Sequence, residues 1–399
     1  MMVKMNVWLK LIILVFLLDS GSWIGIQDAL IYDTILFFCA VVTAVINRRF
    51  RITKDNFIMY GTIVFVFFAN ALFYIDDGLA INGYGSYIIR ITSALILASS
   101  LCEDSFSANF LDLIVIISAS SLIVYLISSM SNGAYYTYKD GYYLMYFRVF
   151  RIYEGFMKRL YRNAAIFWEP GAFQMFANMA LCILLRINHF RIDRNTTKKD
   201  WASMIILSLG VFTTFSTIGY IIYGFIVSVV VWNSIKHLPS RNRIIISVPV
   251  LFALGYAIVR VFQSETIYGK LLGDNTASFL IRNSDFALSL KILADRPLIG
   301  YGFGTGTMWN AMSEVGKTHY GNSSGFLMAA ATFGVVILLA YLIRLPKYAR
   351  KYYGHMWFVF FLVVFLSGMT EGFSLYPVYF IMLFEFSNNM AKDKAIQGV

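Results

Sequence analysis

Leu30-Ile-Tyr-Asp-Thr-Ile-Leu-Phe-Phe-Cys-Ala-Val-Val-Thr-Ala-Val-Ile46, with Asn47-Arg48-Arg49-Phe50-Arg51 directly behind it, decides the fold. The run is seventeen residues long and holds one charged side chain, Asp33. Crossing the hydrocarbon core of a bilayer takes about 20 apolar residues, fewer where flanking side chains snorkel to the interface. Three arginines at one end mark the cytoplasmic side, where such cations are retained. The same pattern recurs along the chain. Of 399 residues, 59% are hydrophobic and 14% charged, against about 25% charged in a soluble domain. So little charge excludes an ordinary soluble enzyme, a disordered chain and a nucleic-acid-binding domain. The apolar runs are continuous, which also excludes the weakly alternating segments of a membrane β-barrel. The expectation is an all-α integral membrane protein.

The runs place about 12 transmembrane helices, at 5–18, 30–46, 57–75, 85–102, 110–130, 168–187, 201–217, 219–235, 244–262, 322–343, 357–369 and 373–388. The pairs 201–217 with 219–235 and 357–369 with 373–388 are tight enough to be either hairpins or half-inserted segments. The first run ends in Asp19-Ser20-Gly21-Ser22, which lacks a small-x-small cleavage pattern, and reads as a retained anchor. With both termini cytoplasmic, twenty of the 33 Lys and Arg residues fall in cytoplasmic pieces. The short outer hairpins 19–28, 76–83 and 370–372 hold none. This positive-inside distribution accounts for much of the net charge of +11 without an acidic partner. The organisation is then 1–130 with five helices, an outer loop 131–165, helices six to nine over 166–262, a large outer loop 263–321, and 322–399 with three helices and a tail. Cys39, Cys102 and Cys182 lie in or beside apolar runs, so no disulfide framework is implied.

Chemistry is expected in the two long loops. Loop 131–165 holds eight of the 26 tyrosines, among them Tyr142 and Tyr161, together with Lys139, Arg148, Arg151, Lys158, Arg159 and Arg162. An interfacial aromatic belt with snorkelling cations is one reading. A platform for sugar rings, with guanidinium forks aimed at phosphate, is the other. The loop ends in Phe167-Trp168-Glu169-Pro170-Gly171. Pro170 suits the first turn of a helix, which leaves Glu169 at its start. There Glu169 either caps the helix, orients an arginine or accepts a proton.

Loop 263–321 carries Arg282 and then Asp295-Arg296-Pro297-Leu298-Ile299-Gly300-Tyr301-Gly302-Phe303-Gly304-Thr305-Gly306. It is neither a P-loop nor a dinucleotide fingerprint, because the Gly-Lys-Ser/Thr and the strand–helix unit are missing. His319 is the histidine placed on the outer side, and a lone histidine is open to a purely structural role. Asp28, Asp33, Arg90, Glu169, Arg260 and Glu371 fall near the outer ends of their spans. Ionisable groups at membrane depth are functional candidates, and their place points to a site opening at the outer leaflet. No ligand-spaced cluster appears there, so neither a metal nor a cofactor is expected.

Four stretches in order resemble one family. Arg162 with Phe167-Trp168-Glu169-Pro170-Gly171 is similar to the Arg…Phe-x-Glu-Pro segment of Wzy-type O-antigen polymerases. Thr214-Phe-Ser-Thr-Ile-Gly-Tyr220 resembles the Ser/Thr-Gly stretch between two central spans. Arg282, Phe286 and Pro297-Leu-Ile-Gly-Tyr-Gly302 resemble the segment shared by O-antigen polymerases and ligases. Gly321-Asn322-Ser-Ser-Gly-Phe-Leu327 resembles the Asn-containing motif after the large loop. The order of elements matches over nearly the whole chain. Gly321 stands where ligases have His, Ile218 and Gly219 stand in place of the ligases' Arg, and the Arg-x10-Gly pattern of some polymerase loops is missing. The first two differences favour polymerase over ligase.

The resemblance implies a glycosyltransferase of GT-C-like architecture in the bacterial inner membrane, with its active site facing the periplasm. It implies undecaprenyl-diphosphate-linked oligosaccharides as donor and acceptor, with a chain-length regulator as a possible partner and no nucleic acid. Arg282, Arg162 and Glu169 are the expected catalytic residues. Arg90, Arg151, Arg260, Tyr142, Tyr301, His319, Asn322 and Glu371 are the expected substrate-binding residues. A ligase, or a non-enzymatic flippase or transporter of lipid-linked oligosaccharides, is the alternative.

Overall fold

Polar residues in the breaks between apolar runs set the helix starts. Thr53 accepts the Asn56 amide, and Thr197 and Asp200 form a reciprocal capping box. A computed structural model describes residues 2–47, 50–130, 136–138, 141–144, 147–154, 158–192, 196–236, 277–314, 324–372 and 374–387. The chain is mostly helical. Its first helices are α1 (Met2–Asp19), α2 (Trp23–Gln27), α3 (Ala29–Asn47), α4 (Lys54–Phe73), α5 (Ile81–Ser100) and α6 (Glu103–Met130). Four strands follow: β1 (Tyr136–Tyr138), β2 (Gly141–Leu144), β3 (Phe147–Glu154) and β4 (Lys158–Ala165). Then come α7 (Pro170–Ile187), α8 (Lys198–Thr213), α9 (Thr217–Ile235), α10 (Ala277–Asp295), α11 (Gly306–Glu314), α12 (Gly325–Phe333), α13 (Val335–Tyr353), α14 (Trp357–Thr370) and α15 (Pro377–Phe380).

Among the described residues, six helical segments are long and apolar enough to cross a membrane: Ala29–Asn47, Lys54–Phe73, Glu103–Met130, Pro170–Ile187, Thr217–Ile235 and Val335–Thr370. The last joins α13 and α14 through one 3-10 turn. Six of the about twelve expected spans thus meet that measure among the described residues. α1 carries Lys4, Lys10 and Asp19, and α8 has only sixteen residues. The span expected at 322–343 is divided at Gly334, where φ is +92°. The span expected at 373–388 is a correction. It forms the four-residue α15 and a 3-10 turn, and Val378 to Phe384 are all buried. Its apolar side chains face protein. The span expected at 244–262 lies outside the described residues.

The two long loops are also structured. The Tyr-rich loop is an antiparallel meander in the order β1-β2-β3-β4, the one β element in an otherwise helical chain among the described residues. Aromatic and β-branched residues favour a pleated surface, and strand β3 reads Phe-Arg-Val-Phe-Arg-Ile-Tyr-Glu. Val149 and Tyr161 bury against Val124 of α6. The large loop contains α10 and α11. Leu288 and Ile292 of α10 pack on Met308 and Met312 of α11 and Ala331 of α12.

The chain divides into two compact units: Met1–Phe110 with Arg282–Trp357 and Gly368–Val399, and Leu111–Ile281 with Phe358–Ser367. In the first, α3 packs on α1 and α5, and α4 on α5. In the second, α7 packs on β4, α8 and α9, and every residue from Pro170 to Leu185 is buried.

Candidate functional site

In the second unit, one short crossover carries both Arg162 and Glu169. Asn163 fixes its start. Its Nδ2 donates to Ser121 Oγ (3.0 Å) and Thr213 Oγ1 (3.2 Å), and its Oδ1 accepts the Ala165 amide (2.9 Å) across a left-handed turn at Ala165. Phe167 then stacks on Phe176 of α7, with centroids 4.3 Å apart. Such a pair adds about 0.5–1.5 kcal/mol beyond burial. Between these anchors the flanking cations are held by backbone carbonyls. Arg162 Nε donates to Thr214 O (2.8 Å), and Arg148 Nη1 donates to Trp168 O (2.6 Å). Arg162 faces Phe150 across the sheet and is half-buried.

Glu169 is the N-cap residue of α7, in extended conformation. Its carbonyl accepts the Ala172 (3.1 Å) and Phe173 (3.2 Å) amides, but its carboxylate makes no cap hydrogen bond. Pro170 removes one of the amides a cap would serve. Simple side-chain capping is therefore not what Glu169 does here.

The Thr214–Tyr220 stretch turns α8 into α9. Phe215 is left-handed, Thr214 Oγ1 accepts the Ser216 amide (3.3 Å), and Ser216 Oγ accepts the Gly219 amide (3.4 Å). A Cβ on Gly219 would stand 3.0 Å from Gln174, so glycine is what lets α9 approach α7. Gln174 and Asn178 lie beside that contact, fully buried and bonded to each other at 3.0 Å. Among the described residues Gln174 Nε2 and Asn178 Oδ1 have no hydrogen-bond partner. The sequence reading passed over these amides, although their i, i+4 spacing in an apolar helix is a visible signal.

In the first unit, the glycine-rich segment is clamped on both sides. Gly300, Gly302 and Gly304 have φ of +70°, +77° and +72°, values that carry steric strain for any residue with a Cβ. A Cβ on Gly302 would meet Thr305 at 2.6 Å and Tyr74 at 2.8 Å. The Tyr301 and Gly302 amides donate to Ala331 O and Thr332 O (2.9 Å each). Asn70 Nδ2 donates to Ile299 O (2.5 Å) and Thr332 O (3.1 Å), Tyr74 donates to Gly300 O (2.5 Å), and Tyr84 accepts the Phe303 amide (3.0 Å). Asp77 caps α11 through the Thr307 amide (3.0 Å). The Thr307 hydroxyl and amide hold its carboxyl below the ordinary range.

Arg296 donates to Tyr74 Oη (2.8 Å), and Tyr301 donates to Asp295 Oδ2 (2.7 Å). That second bond raises the Tyr301 phenol, because Asp295 stabilises its protonated form. Tyr301 also borders a polar cleft of about 220 Å³, beside Lys291, Thr307, Asn310 and Glu314. Lys291 and Glu314 face each other at 3.5 Å.

The other expected site residues distribute as follows. Arg90 is sealed inside the first unit, 2.7 Å from Asp33 and 3.5 Å from Asp19, with the Tyr376 ring 4.4 Å away. Glu371 is buried at the turn after α14, where Ser374 Oγ donates to Gly325 O (2.8 Å). Arg282 lies on α10, Tyr142 on β2 and Arg151 on β3, and their side chains lie outside the described residues. Arg260, His319 and Asn322 lie outside them altogether. Among the described residues no group of three His, Cys, Asp or Glu side chains is placed to hold a metal. No family model, curated protein or solved structure matches this chain.

Proposed function

We propose that this chain is a polysaccharide polymerase of the membrane. It transfers a growing glycan from a polyprenyl diphosphate to the terminal sugar of a second lipid-linked repeat unit, at the extracytoplasmic face of a bacterial inner membrane. The observation that carries the reading is the β4–α7 crossover. It fixes Arg162 and, seven residues on, presents a carboxylate that its own helix does not use.

The acceptor hydroxyl attacks the anomeric carbon of the donor. A new C–O bond forms as the bond to the lipid diphosphate breaks, and the hydroxyl proton passes to Glu169. The diphosphate leaves with its electron pair and gains negative charge. Arg162 meets that charge. Each preorganised donor of this kind contributes about 3–4 kcal/mol of transition-state stabilisation.

The test is chain extension in detergent, with purified protein and lipid-linked repeat units. Lengthening without a sealed compartment supports a polymerase, and Arg162→Ala should abolish it while the protein still melts cooperatively. Normal polymer length from Arg162→Ala would remove Arg162 from the site. No lengthening by the wild type, with vectorial movement in vesicles, would make the protein a transporter. In cells, a deletion strain that attaches a single repeat unit has lost a polymerase; one that attaches none has lost a ligase or flippase.

A further inference from the structure

A second site lies at the other end of α7. A cleft of about 380 Å³ opens between α7, α8 and α9. Its walls are apolar, Leu185, Leu209, Ile226 and Val230 among them. Its polar side chains, Ser208 and Tyr223, bond each other at 3.0 Å, so they ask nothing of an occupant. Leu181 is the first α7 residue to line it, eleven positions after Pro170, which is about 16 Å along the axis. Along α8 the cleft runs from Trp201 to Phe212, two residues before the Thr214 carbonyl that holds Arg162.

One end of the cleft is basic and rigid. The turn after α7 has His189 and Phe190 in left-handed conformation, and the Phe190 amide donates to Leu185 O (2.6 Å). The Ile192 amide donates to Ser234 Oγ (3.3 Å), which pins Ile192 as the end wall. Exposed Arg191 directly precedes this end-wall residue in the chain. Lys198, also exposed, lies one helical turn before Trp201, another wall residue. The capping box of Thr197 and Asp200 closes the first amides of α8, so the positive charge there is that of side chains.

A hydrocarbon-lined cleft with cations at one end fits an amphiphile with an anionic head. We propose that it holds an acyl chain of an anionic glycerophospholipid, with the phosphate at Arg191 and Lys198. The cations belong to the stretch the positive-inside pattern assigns to the cytoplasmic leaflet, where such lipids present their heads. The site does not depend on the polymerase reading.

The full-length protein, reconstituted with equal amounts of dioleoylphosphatidylglycerol and dioleoylphosphatidylcholine and re-extracted, would be examined by native mass spectrometry. The wild type should keep one phosphatidylglycerol per chain in preference to phosphatidylcholine. Arg191→Ala with Lys198→Ala should reduce that preference roughly thirtyfold, the effect of two interfacial cations. Val227→Trp, which fills the cleft, should release either lipid while the melting temperature in lipid-free detergent stays unchanged. Should that variant not fold, Ser208→Phe blocks the same space. Equal retention of both lipids, retention despite a filled cleft, or displacement of phosphatidylglycerol by equimolar undecaprenyl phosphate would each overturn the assignment.

Discussion

Arg90 and Arg162 are both arginines of a membrane chain, and the fold treats them in opposite ways. Arg90 is 4% exposed and meets two carboxylates that are wholly buried. Its charge ties α1, α3 and α5 together, and no part of the cluster faces outward. Arg162 is half-buried at the end of a sheet, held through Nε by a neutral carbonyl. The contrast is between an arginine sealed among carboxylates and one anchored to a backbone carbonyl at a half-buried position.

The largest expected effect tests the structural half of this contrast. Arg90→Met leaves Asp19 and Asp33 buried without a counter-charge, and should cost about 3–5 kcal/mol. Thermal unfolding in detergent measures it. An unchanged melting temperature would show that the cluster holds nothing together. The next effect tests the other half. Glu169→Gln should slow chain extension by about 10²-fold or more, as expected for a lost general base, without moving the melting temperature. A drop in stability with activity preserved would return Glu169 to a capping role.

Two smaller effects probe the glycine segment and its cap. Gly300→Ala forces a side chain onto φ +70° against the backbone of α12, and should cost about 1–3 kcal/mol in melting experiments. Asp77→Ala removes the α11 cap, worth about 1 kcal/mol. Because the folded protein lowers the Asp77 pKa, this contribution is present above the ordinary carboxylate pKa of about 3.9 and fades as pH falls through the lower folded value. Wild type and variant should therefore differ at pH 7, begin to converge near the ordinary carboxylate pKa of about 3.9, and meet only below the lower folded value. A gap that persists in acid would assign the effect to something other than the carboxylate.

The sequence carried the helices whose polar breaks are local. Thr53, Thr197 and Ser216 can be read as caps beside apolar runs, and α3, α4 and α9 emerge within a few residues of expectation. It misled where composition is blind to what a side chain touches. Residues 373–388 are as apolar as a span, but Pro377 and the packing of Val378 to Phe384 make them protein core. The aromatic run at 131–165 suits a belt or a strand equally, and only pairing with Val124 of α6 decides it. Long-range partners were invisible for a simpler reason: Asn70 and Ile299 are 229 positions apart. At the crossover, the Arg162…Glu169-Pro170 motif was legible from the sequence, and the spacing of Gln174 and Asn178 was a signal there to be read, whereas Asn163 announces itself only through its neighbours.

A helix that stops in an apolar protein interior ordinarily leaves its last carbonyl groups without donors. At the end of α12 the amides of Tyr301 and Gly302 reach those oxygens, and the side chain of Asn70 adds a second donor to one of them. The glycine ribbon thus acts as a dry substitute for water. It lets α12 end inside the protein, and it makes any peptide replacing residues 299–302 answerable for the carbonyls of a helix it does not belong to.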